Sequence, residues 1–391
     1  MTITRTDIAA RLRRAVRREL WAASWRGVRI ASILRWLISP YRASSRCAGA
    51  KRVLVYDFSR QPISVGDLLV ARVAAECLRI RDGATRVDVA LLCEAPVDAS
   101  PGAGSSVEDM GRFLQGVRLD PDLGSVMLFW RRCDLEEYLD RLPLDTVPWP
   151  PAGYYASGQY VCYLVWNELL HDCYHLHHQV PVLRAPPGAS QWAATFVAQH
   201  AAGRHAISVQ LRRNPLNPAR NSDFDAWLAF FEACATRGDP YVFFVIGCES
   251  EADGRLSACS NVVLAKAHHT SLDQDLALVG ACAAHMGASS GPSTMAFFSP
   301  KPYVLFGWNT ADYRYRELEV DTGLRRFYFA SSAQRLLPER ETTPMIDSEF
   351  QRLRAVIEAP PAHLRDADGS AALAPERSDS RGGALRVQSS D

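Results

Sequence analysis

The sequence lacks the features that mark membrane-spanning, disulfide-linked and zinc-binding proteins. No apolar run reaches about 18 residues, the length that a transmembrane helix requires, and no signal peptide is recognisable. The 10 cysteines include no C-x-x-C pair, so neither a zinc site nor a disulfide framework is predicted, and a reducing cytosol fits best. A net charge of only +1 argues against nucleic acid as a partner. We therefore expect a cytoplasmic protein.

Motifs for a required metal ion are also missing. No H-E-x-x-H motif is present, and none of the strands predicted below ends in an Asp-x-Asp motif, so we expect no required divalent ion. Histidines do cluster at positions 171, 175, 177 and 178, where His171 and His175 share a helix face at i, i+4 spacing. Because no third ligand accompanies this pair at metal-binding spacing, we interpret the cluster as a polar helix face or rim.

Positive charge is concentrated at the N-terminus. Residues 1–52 contain 13 Lys or Arg against 2 acidic residues, an excess of +11. Apolar residues recur at helical spacing from Ile8 to Trp21, and Pro40 ends the pattern. A basic amphipathic helix with tryptophans is typical of attachment to an anionic membrane surface, here through residues 1–40. A helix packed on its own domain or on a partner explains the pattern equally well, and both interpretations stay open.

Apolar strands alternate with helices in two series along the rest of the chain. In the first series the pattern predicts strands at 52–58, 86–93 and 124–130 and a helix at 133–142. Residues 64–83 are predicted as a loop leading into a helix that begins near Leu68 and is closed by Gly83. In the second it predicts strands at 205–211, 240–247, 261–267 and 301–307 and helices at 223–238 and 272–286. The predicted fold class is therefore α/β, with two doubly wound, Rossmann-like domains and a cleft between them.

A turn rich in glycine and serine, Gly-Ala-Ser-Ser-Gly-Pro-Ser-Thr at 287–294, is the most informative segment of the chain. Gly287 and Gly291 permit a close approach of the backbone. The hydroxyl groups of the turn, and the first N–H groups of a helix that opens after Pro292, favour an anion such as a phosphate. The alternative is a turn that only connects two elements.

Two segments of the chain resemble glycosyltransferase family 9, the ADP-heptose:lipopolysaccharide heptosyltransferases and their relatives of GT-B fold. Residues 52–94 match the family's opening strand, Gly-Asp loop and helix, with Gly66-Asp67 at the Gly-Asp. Residues 205–308 match its second domain, in which Gly-x-Asp-Ser-Gly-Pro-x-His follows a helix and precedes a strand ending in Phe-Gly. Ser289 replaces the aspartate of that motif and Thr294 replaces the histidine. These two departures allow another nucleotide-sugar donor.

The resemblance implies a GT-B-like glycosyltransferase. It would move a sugar from a nucleotide-sugar donor, its co-substrate, to a hydroxyl of a cell-surface glycan or lipid-linked acceptor, without cofactor or metal. Asp67 stands at the family's proposed catalytic base, and Gly291-Pro292 stands near the donor phosphates. An aspartate at position 67 would also be a favoured N-cap for the helix that follows, and both roles are compatible. Such an enzyme would work in the cytoplasm, peripheral on the inner face of the cytoplasmic membrane if residues 1–40 attach there.

Further donor-binding residues follow from the chemistry of a diphosphate leaving group. Arg212 and Arg213 lie directly after the carboxyl end of the strand predicted at 205–211, and the planar guanidinium of arginine suits phosphate. The carboxylate of Glu251 would accept a hydrogen bond from a ribose hydroxyl. The alternative is that Glu251 is a solvated acidic residue of a loop. The complete set of predicted donor-binding residues is Arg212, Arg213, Glu251, Ser289, Ser290, Gly291, Pro292, Ser293 and Thr294. A nucleotide-sugar epimerase and a non-catalytic binding protein of the same architecture are the alternative functions.

The predicted division of the chain has five parts. They are a basic helical segment at 1–50, an acceptor-side Rossmann-like domain at 51–200, a donor-side Rossmann-like domain at 201–345, a closing helix at 346–358 and a disordered tail at 359–391.

Overall fold

The computed structural model describes most of the chain between residues 51 and 359. The described ranges are 51–59, 64–94, 111–119 except 112 and 117, 123–143, 146–149, 162–214, 218–308 except 252, 320–321 and 325–359. The basic helix predicted at 1–50 and the tail from residue 360 onward lie outside these ranges. No helix within them is long and apolar enough to cross a bilayer.

The first half of the chain forms a four-stranded parallel sheet. Its elements are β1 (Lys51–Asp57), α1 (Val65–Asp82), β2 (Val87–Leu92), β3 (Leu123–Phe129), α2 (Arg132–Asp140) and β4 (Thr146–Trp149). The strand order is β3-β2-β1-β4, so the order reverses between β1 and β4. All of β2, and all of β1 after Lys51, is buried, which explains why these strands are continuous apolar runs rather than alternating ones.

Helix α1 begins at Val65, earlier than the start predicted near Leu68, and its cap is not Asp67. Ser64 is the N-cap, and its hydroxyl accepts a hydrogen bond from the backbone N–H of Asp67 at 3.4 Å. Asp67 therefore lies in the first helical turn, where a negative charge is favourable, and the interpretation of Asp67 as a cap is wrong. The helix ends as predicted at Gly83, which adopts a left-handed conformation with φ of 65°.

Two further helices connect the halves, α3 (Cys162–His177) and α4 (Pro187–Ala201). Helix α3 packs on α1 of the first half. The chain then enters the second sheet.

The second half contains a six-stranded parallel sheet. The elements of this half of the chain are β5 (His205–Gln210), α5 (Phe224–Arg237), β6 (Tyr241–Ile246), β7 (Val262–Leu264), α6 (Leu272–Ala281), β8 (Ala284–Ala288), α7 (Thr294–Phe297), β9 (Tyr303–Phe306), β10 (Val320–Asp321), β11 (Arg326–Phe327), β12 (Gln334–Leu336) and α8 (Thr343–Ile357). The sheet order is β12-β9-β8-β5-β6-β7, while β10 and β11 form a small antiparallel pair. Counted along the chain, this is the Rossmann order 3-2-1-4-5-6, with its switch point between β5 and β8.

The helix predicted at 272–286 is wrong in its second part. Helix α6 ends at Ala281, and the next five-residue strand, β8, pairs with β5 on one side and β9 on the other. Alanine and methionine favour helices locally, but complete burial between two parallel strands overrides that preference. The strand predicted at 261–267 likewise ends at Leu264 and continues as a short 3₁₀ helix.

Helix α4 packs against α6 and against β5 and β6 of the second sheet. The predicted boundary at residue 200 falls at the end of this helix, and the limits of the domains stay a prediction. Helix α8 starts three residues before the closing helix predicted at 346–358, because Pro344 is accommodated in a first helical turn. The fold class itself, α/β with two parallel sheets and helices, is confirmed.

Candidate active site

A cavity of about 1250 Å³ lies where the switch point of the second sheet faces the start of α1. Its walls come from the segments that follow β5, β6, β7 and β8 and from the first turn of α1. Ligands of doubly wound sheets bind at the carboxyl ends of the strands, beside the switch point. The cavity thus has the position of a ligand site and draws residues from both halves of the chain.

The first turn of α1 touches the Gly-Ser turn directly. A Cβ atom on Gly66 would lie 3.1 Å from Oγ1 of Thr294 and 3.3 Å from Cα of Gly291. A Cβ atom on Gly291 would in turn lie 3.1 Å from Cβ of Val65 and 3.2 Å from the nitrogen of Gly66. Two glycines are needed for this approach, which brings the neighbouring Asp67 to the same cavity as the turn.

A second close contact lies at the end of β8, where the turn begins. Gly287 has φ of 129°, and a Cβ atom there would overlap the carbonyl oxygen of Gln210 on β5. After Ser290 the chain forms a 3₁₀ turn, Gly291–Ser293, and then the four-residue helix α7. The helix predicted after Pro292 is therefore very short, because Phe298 already leaves helical geometry. Arg220 fixes the start of the turn by donating to the carbonyl oxygen of Ser289 at 2.8 Å.

A buried histidine holds the turn from below. His285 of β8 is 0% exposed, and its two ring nitrogens lie 2.9 Å from Oγ of Ser208 and 3.0 Å from Oγ of Ser293. The Ser293 hydroxyl also donates to the carbonyl oxygen of Ala288 at 3.0 Å. Burial lowers the pKa of His285 to about 3, so the ring is neutral. Sequence reasoning missed His285, since nothing local distinguishes a histidine buried in a central strand.

The two adjacent arginines diverge. Arg212 lines the cavity, and its backbone N–H donates to Oγ of Ser222 at 3.1 Å. Arg213 is not a lining residue. Its guanidinium pairs with Asp253 at 3.1 Å and lies 4.2 Å from the ring centre of Phe224. Only one arginine of the pair therefore lines the cavity.

Glu251 lines the cavity in the segment that follows β6. One of its carboxylate oxygens accepts the backbone N–H of Cys248 at 3.3 Å. Burial raises the pKa of Glu251, while the backbone hydrogen bonds and the positive charge of Arg212 act in the opposite direction. A half-buried acid beside Arg212 is better placed to bind a ligand than a solvated loop acid would be.

A buried ion pair forms another part of the polar wall. Lys266 pairs with Asp275 at 2.8 Å, and Asp275 also accepts a hydrogen bond from the hydroxyl of Thr270. Asp275 is only 1% exposed. Burial raises the pKa of Asp275, and the positive charge of Lys266 acts to lower it. The pair joins the segment after β7 to α6. It was not predicted, because it depends on how those two segments pack.

Most of the predicted site residues meet at the cavity. Those that line it are Asp67, Arg212, Glu251, Ser289, Ser290, Gly291, Pro292 and Thr294. Arg213 and Ser293 do not, since Arg213 faces Asp253 and Ser293 bonds to His285. The structure also adds lining residues that were not predicted, among them Arg220, Lys266 and Asp275.

No cluster of three or more metal-ligating side chains occurs in the part of the chain that is described. His171 and His175 do face each other, with 2.9 Å between their Nε2 atoms, and the His171 ring contacts the ring of Tyr328. The pair thus lies beside Tyr328, which lines the cavity.

Comparison with solved structures places this architecture among glycosyltransferase folds. A glycosyl transferase family 9 structure from Veillonella parvula superposes with a TM-score of 0.50 at 9% identity, covering 82% of this chain and 92% of that one. E. coli ADP-heptose lipopolysaccharide heptosyltransferase II gives a TM-score of 0.49 at 14% identity, covering 79% of this chain and 100% of that one. No protein-family model matches the sequence, and no curated protein matches it. At these identities the likeness concerns the fold, and it confirms the GT-B-like architecture.

Proposed function

We propose that the protein is a glycosyltransferase that moves a sugar from a nucleotide-sugar donor to an acceptor hydroxyl, and that it is a divergent relative of family 9. One observation carries this proposal. A carboxylate from the first half and a phosphate-type turn from the second half line one cavity, in a fold shared with a family 9 glycosyltransferase.

The donor would lie along the second half of the cavity. Its diphosphate would meet the Gly-Ser turn and Arg212, while Glu251 accepts a ribose hydroxyl. Negative charge develops on the diphosphate as the sugar leaves, so fixed N–H groups and a guanidinium favour the transition state more than the ground state. Arg220, which already binds Ser289, would add positive charge near the same turn.

Asp67 would activate the acceptor. Its carboxylate takes the proton of the acceptor hydroxyl, whose oxygen forms a bond to the anomeric carbon of the donor sugar. The bond from that carbon to the diphosphate oxygen breaks, and its electron pair stays on the nucleoside diphosphate. The approach of Gly66 to Gly291 keeps the base and the leaving group within one cavity.

The test begins with a panel of ADP-, GDP-, UDP- and CDP-sugars on the full-length protein. A true donor must raise the melting temperature, since a ligand of the folded state alone stabilises it. Incubation with and without candidate acceptors then separates the alternatives. A transferase releases nucleoside diphosphate only in step with an acceptor product, whereas an epimerase changes the nucleotide sugar without any acceptor. Absence of a melting shift with every nucleotide sugar would refute the proposal.

Three further expectations belong to this proposal. The reaction would need no divalent ion, so chelation by EDTA should leave turnover unchanged. The enzyme would be cytoplasmic, with residues 1–40 either on an anionic membrane surface or packed on the protein. Deletion of that segment should release the protein from anionic liposomes if the first arrangement holds.

A further inference from the structure

A pair of histidines beside the cavity has no role in the proposed reaction. His171 and His175 lie one turn apart on α3, and their Nε2 atoms are 2.9 Å apart. The centres of the two rings are 4.1 Å apart, with 65° between the ring planes. Both rings therefore bring the same nitrogen atom to one point beside the helix.

The surroundings hold the pair in this arrangement. Residues four apart on an α-helix lie on one face, so the two imidazoles meet without any movement of the backbone. The His171 ring also contacts the Tyr328 ring at 5.5 Å, and Tyr174 of α3 contacts the same ring at 5.2 Å. His175 is exposed, so a small ligand can reach the pair from solvent. Binding between the two nitrogens would thus require little further ordering of the protein.

The separation of the two nitrogens suits a metal ion. Imidazole nitrogens bind such ions at about 2.0 to 2.1 Å. At that length, an angle of about 90° at the ion corresponds to about 2.9 Å between the nitrogens, and a tetrahedral angle corresponds to about 3.3 Å. The observed 2.9 Å matches the right angle of the square or tetragonal coordination that Ni²⁺ and Cu²⁺ favour, rather than the tetrahedral angle of Zn²⁺.

The contact between the rings is also chemically compatible with an ion. Each neutral imidazole carries one proton, on Nδ1 or on Nε2. In the hydrogen bond between two neutral rings, one Nε2 donates its proton to the other Nε2. When an ion binds, that proton moves to Nδ1 of its own ring, and both Nε2 lone pairs face the ion. The two rings keep their two protons, and the ion replaces only the hydrogen bond between them.

We propose that His171 and His175 bind one divalent transition-metal ion of the Ni²⁺ and Cu²⁺ class through their Nε2 atoms. Metal-ligating side chains form no cluster of three in the ranges that the structure describes, so water would complete the coordination. This inference does not depend on the proposed function. The ion would lie on α3 beside Tyr328 and would take part in no step of sugar transfer.

Calorimetry with Ni²⁺ tests the proposal on the full-length protein, freed of metal and carrying no histidine tag. Loss of a hydrogen-bond partner of a metal ligand already lowers affinity about 10- to 100-fold. Removal of a ligand itself, in His171→Ala or His175→Ala, should therefore weaken Ni²⁺ binding at least about tenfold. Mg²⁺ prefers oxygen ligands and should give no signal that depends on these residues.

His177→Ala is the matched control, since His177 is an exposed histidine of the same helix and stands outside the pair. Its Ni²⁺ affinity should equal that of the parent. Because His175 is exposed, His175→Ala without metal should melt close to the parent, so a loss of affinity there reports on the ligand rather than on the fold.

The electron paramagnetic resonance spectrum of bound Cu²⁺ gives a second measurement. The parent should show two nitrogen ligands, and His175→Ala should show at most one. Parental Ni²⁺ affinity in both His171→Ala and His175→Ala would overturn the proposal, as would an equal loss in the control. The rings of His200 and His268, 4.7 Å apart, form a second pair. A loss confined to His268→Ala would place the ion there and overturn the proposal as well.

Discussion

Replacing Arg212 by alanine should weaken donor binding, whereas the same change at Arg213 should not. The two residues are adjacent and chemically identical, yet only Arg212 lines the cavity. Arg213 instead pairs with Asp253 and covers Phe224. The pair of variants therefore separates a contact with the donor from a general loss of positive charge.

The expected magnitudes differ clearly. A hydrogen bond to a charged phosphate contributes about 1.5 to 3 kcal/mol, so Arg212→Ala should raise Kd about 10- to 150-fold. The Arg213 side chain is 46% exposed, and a surface ion pair contributes about 0 to 1 kcal/mol to stability. Asp253 also keeps its ion pair with Arg255 at 2.9 Å, so Arg213→Ala should melt close to the parent.

Calorimetry should compare a nucleoside diphosphate with its nucleoside, using whichever nucleotide most raises the melting temperature. If Arg212 binds the diphosphate, Arg212→Ala loses affinity for the diphosphate and not for the nucleoside. Equal losses in both variants would show only a long-range charge effect. Unchanged diphosphate affinity in Arg212→Ala, with the fold intact, would refute the assignment.

Three other variants test the remaining parts of the site. Asp67→Asn should change the free energy of unfolding by less than about 1 kcal/mol, because Ser64 is the cap. The variant should nevertheless transfer sugar at least about 100-fold more slowly. Near-parental turnover would place the base elsewhere. Gly66→Ala should reduce turnover, because the new methyl group would crowd Thr294 and Gly291. Gly188→Ala is the control, since its methyl group would meet nothing within 4 Å. Equal turnover of the two variants would contradict the close approach of Gly66 to the turn. The pKa of His285 is about 3 in the folded state and about 6.5 in the unfolded state, so between these values only the unfolded chain binds the proton. The free energy of unfolding should therefore fall as the pH drops below 6.5, by up to about 1.4 kcal/mol per pH unit. His285→Gln should remove that part of the pH dependence in denaturant titrations, and an identical slope would contradict it.

The sequence predicted those elements whose signals are local. The strand expected at 52–58 is β1 at Lys51–Asp57, and the helix expected at 223–238 is α5 at Phe224–Arg237. Both follow from unbroken apolar patterns and from end signals, such as the glycine at 238 that closes α5 in a left-handed conformation. The turn at 287–294 was recognisable for the same reason, since glycine permits backbone conformations that other residues rarely adopt and proline fixes its own φ.

The errors arise where packing decides the outcome. Residues 284–288 favour a helix by composition, and only pairing with β5 and β9 makes them a strand. The divergence of Arg212 and Arg213 depends on where the strand ends, to within one residue. The pairing of Lys266 with Asp275 and the burial of His285 depend on contacts between segments, which no local pattern specifies. Asp67 was placed in the correct helix, but its neighbour Ser64 took the capping role.

The contact between Gly66 and Gly291 links these observations to the chemistry. A base in the first turn of a helix in one half and a leaving-group site in a turn of the other half can cooperate only while the two are held together. Here the backbones of Gly66 and Gly291 approach each other closely, with Thr294 and Val65 packed beside them. The same turn is fixed from below by His285 through Ser293 and from the side by Arg220 through Ser289. Ser289 and Thr294, the two positions that differ from the motif of the family that the sequence resembles, lie within this fixed turn and line the cavity. Under the proposed relation to that family, these are the positions where we expect the choice of donor to differ. Restoring the family residues there, as Ser289→Asp with Thr294→His, should alter the preferred nucleotide sugar in the melting panel while Arg212→Ala still weakens diphosphate binding. An unchanged preference in the double variant would place donor selection in the wall formed by Lys266 and Asp275 instead.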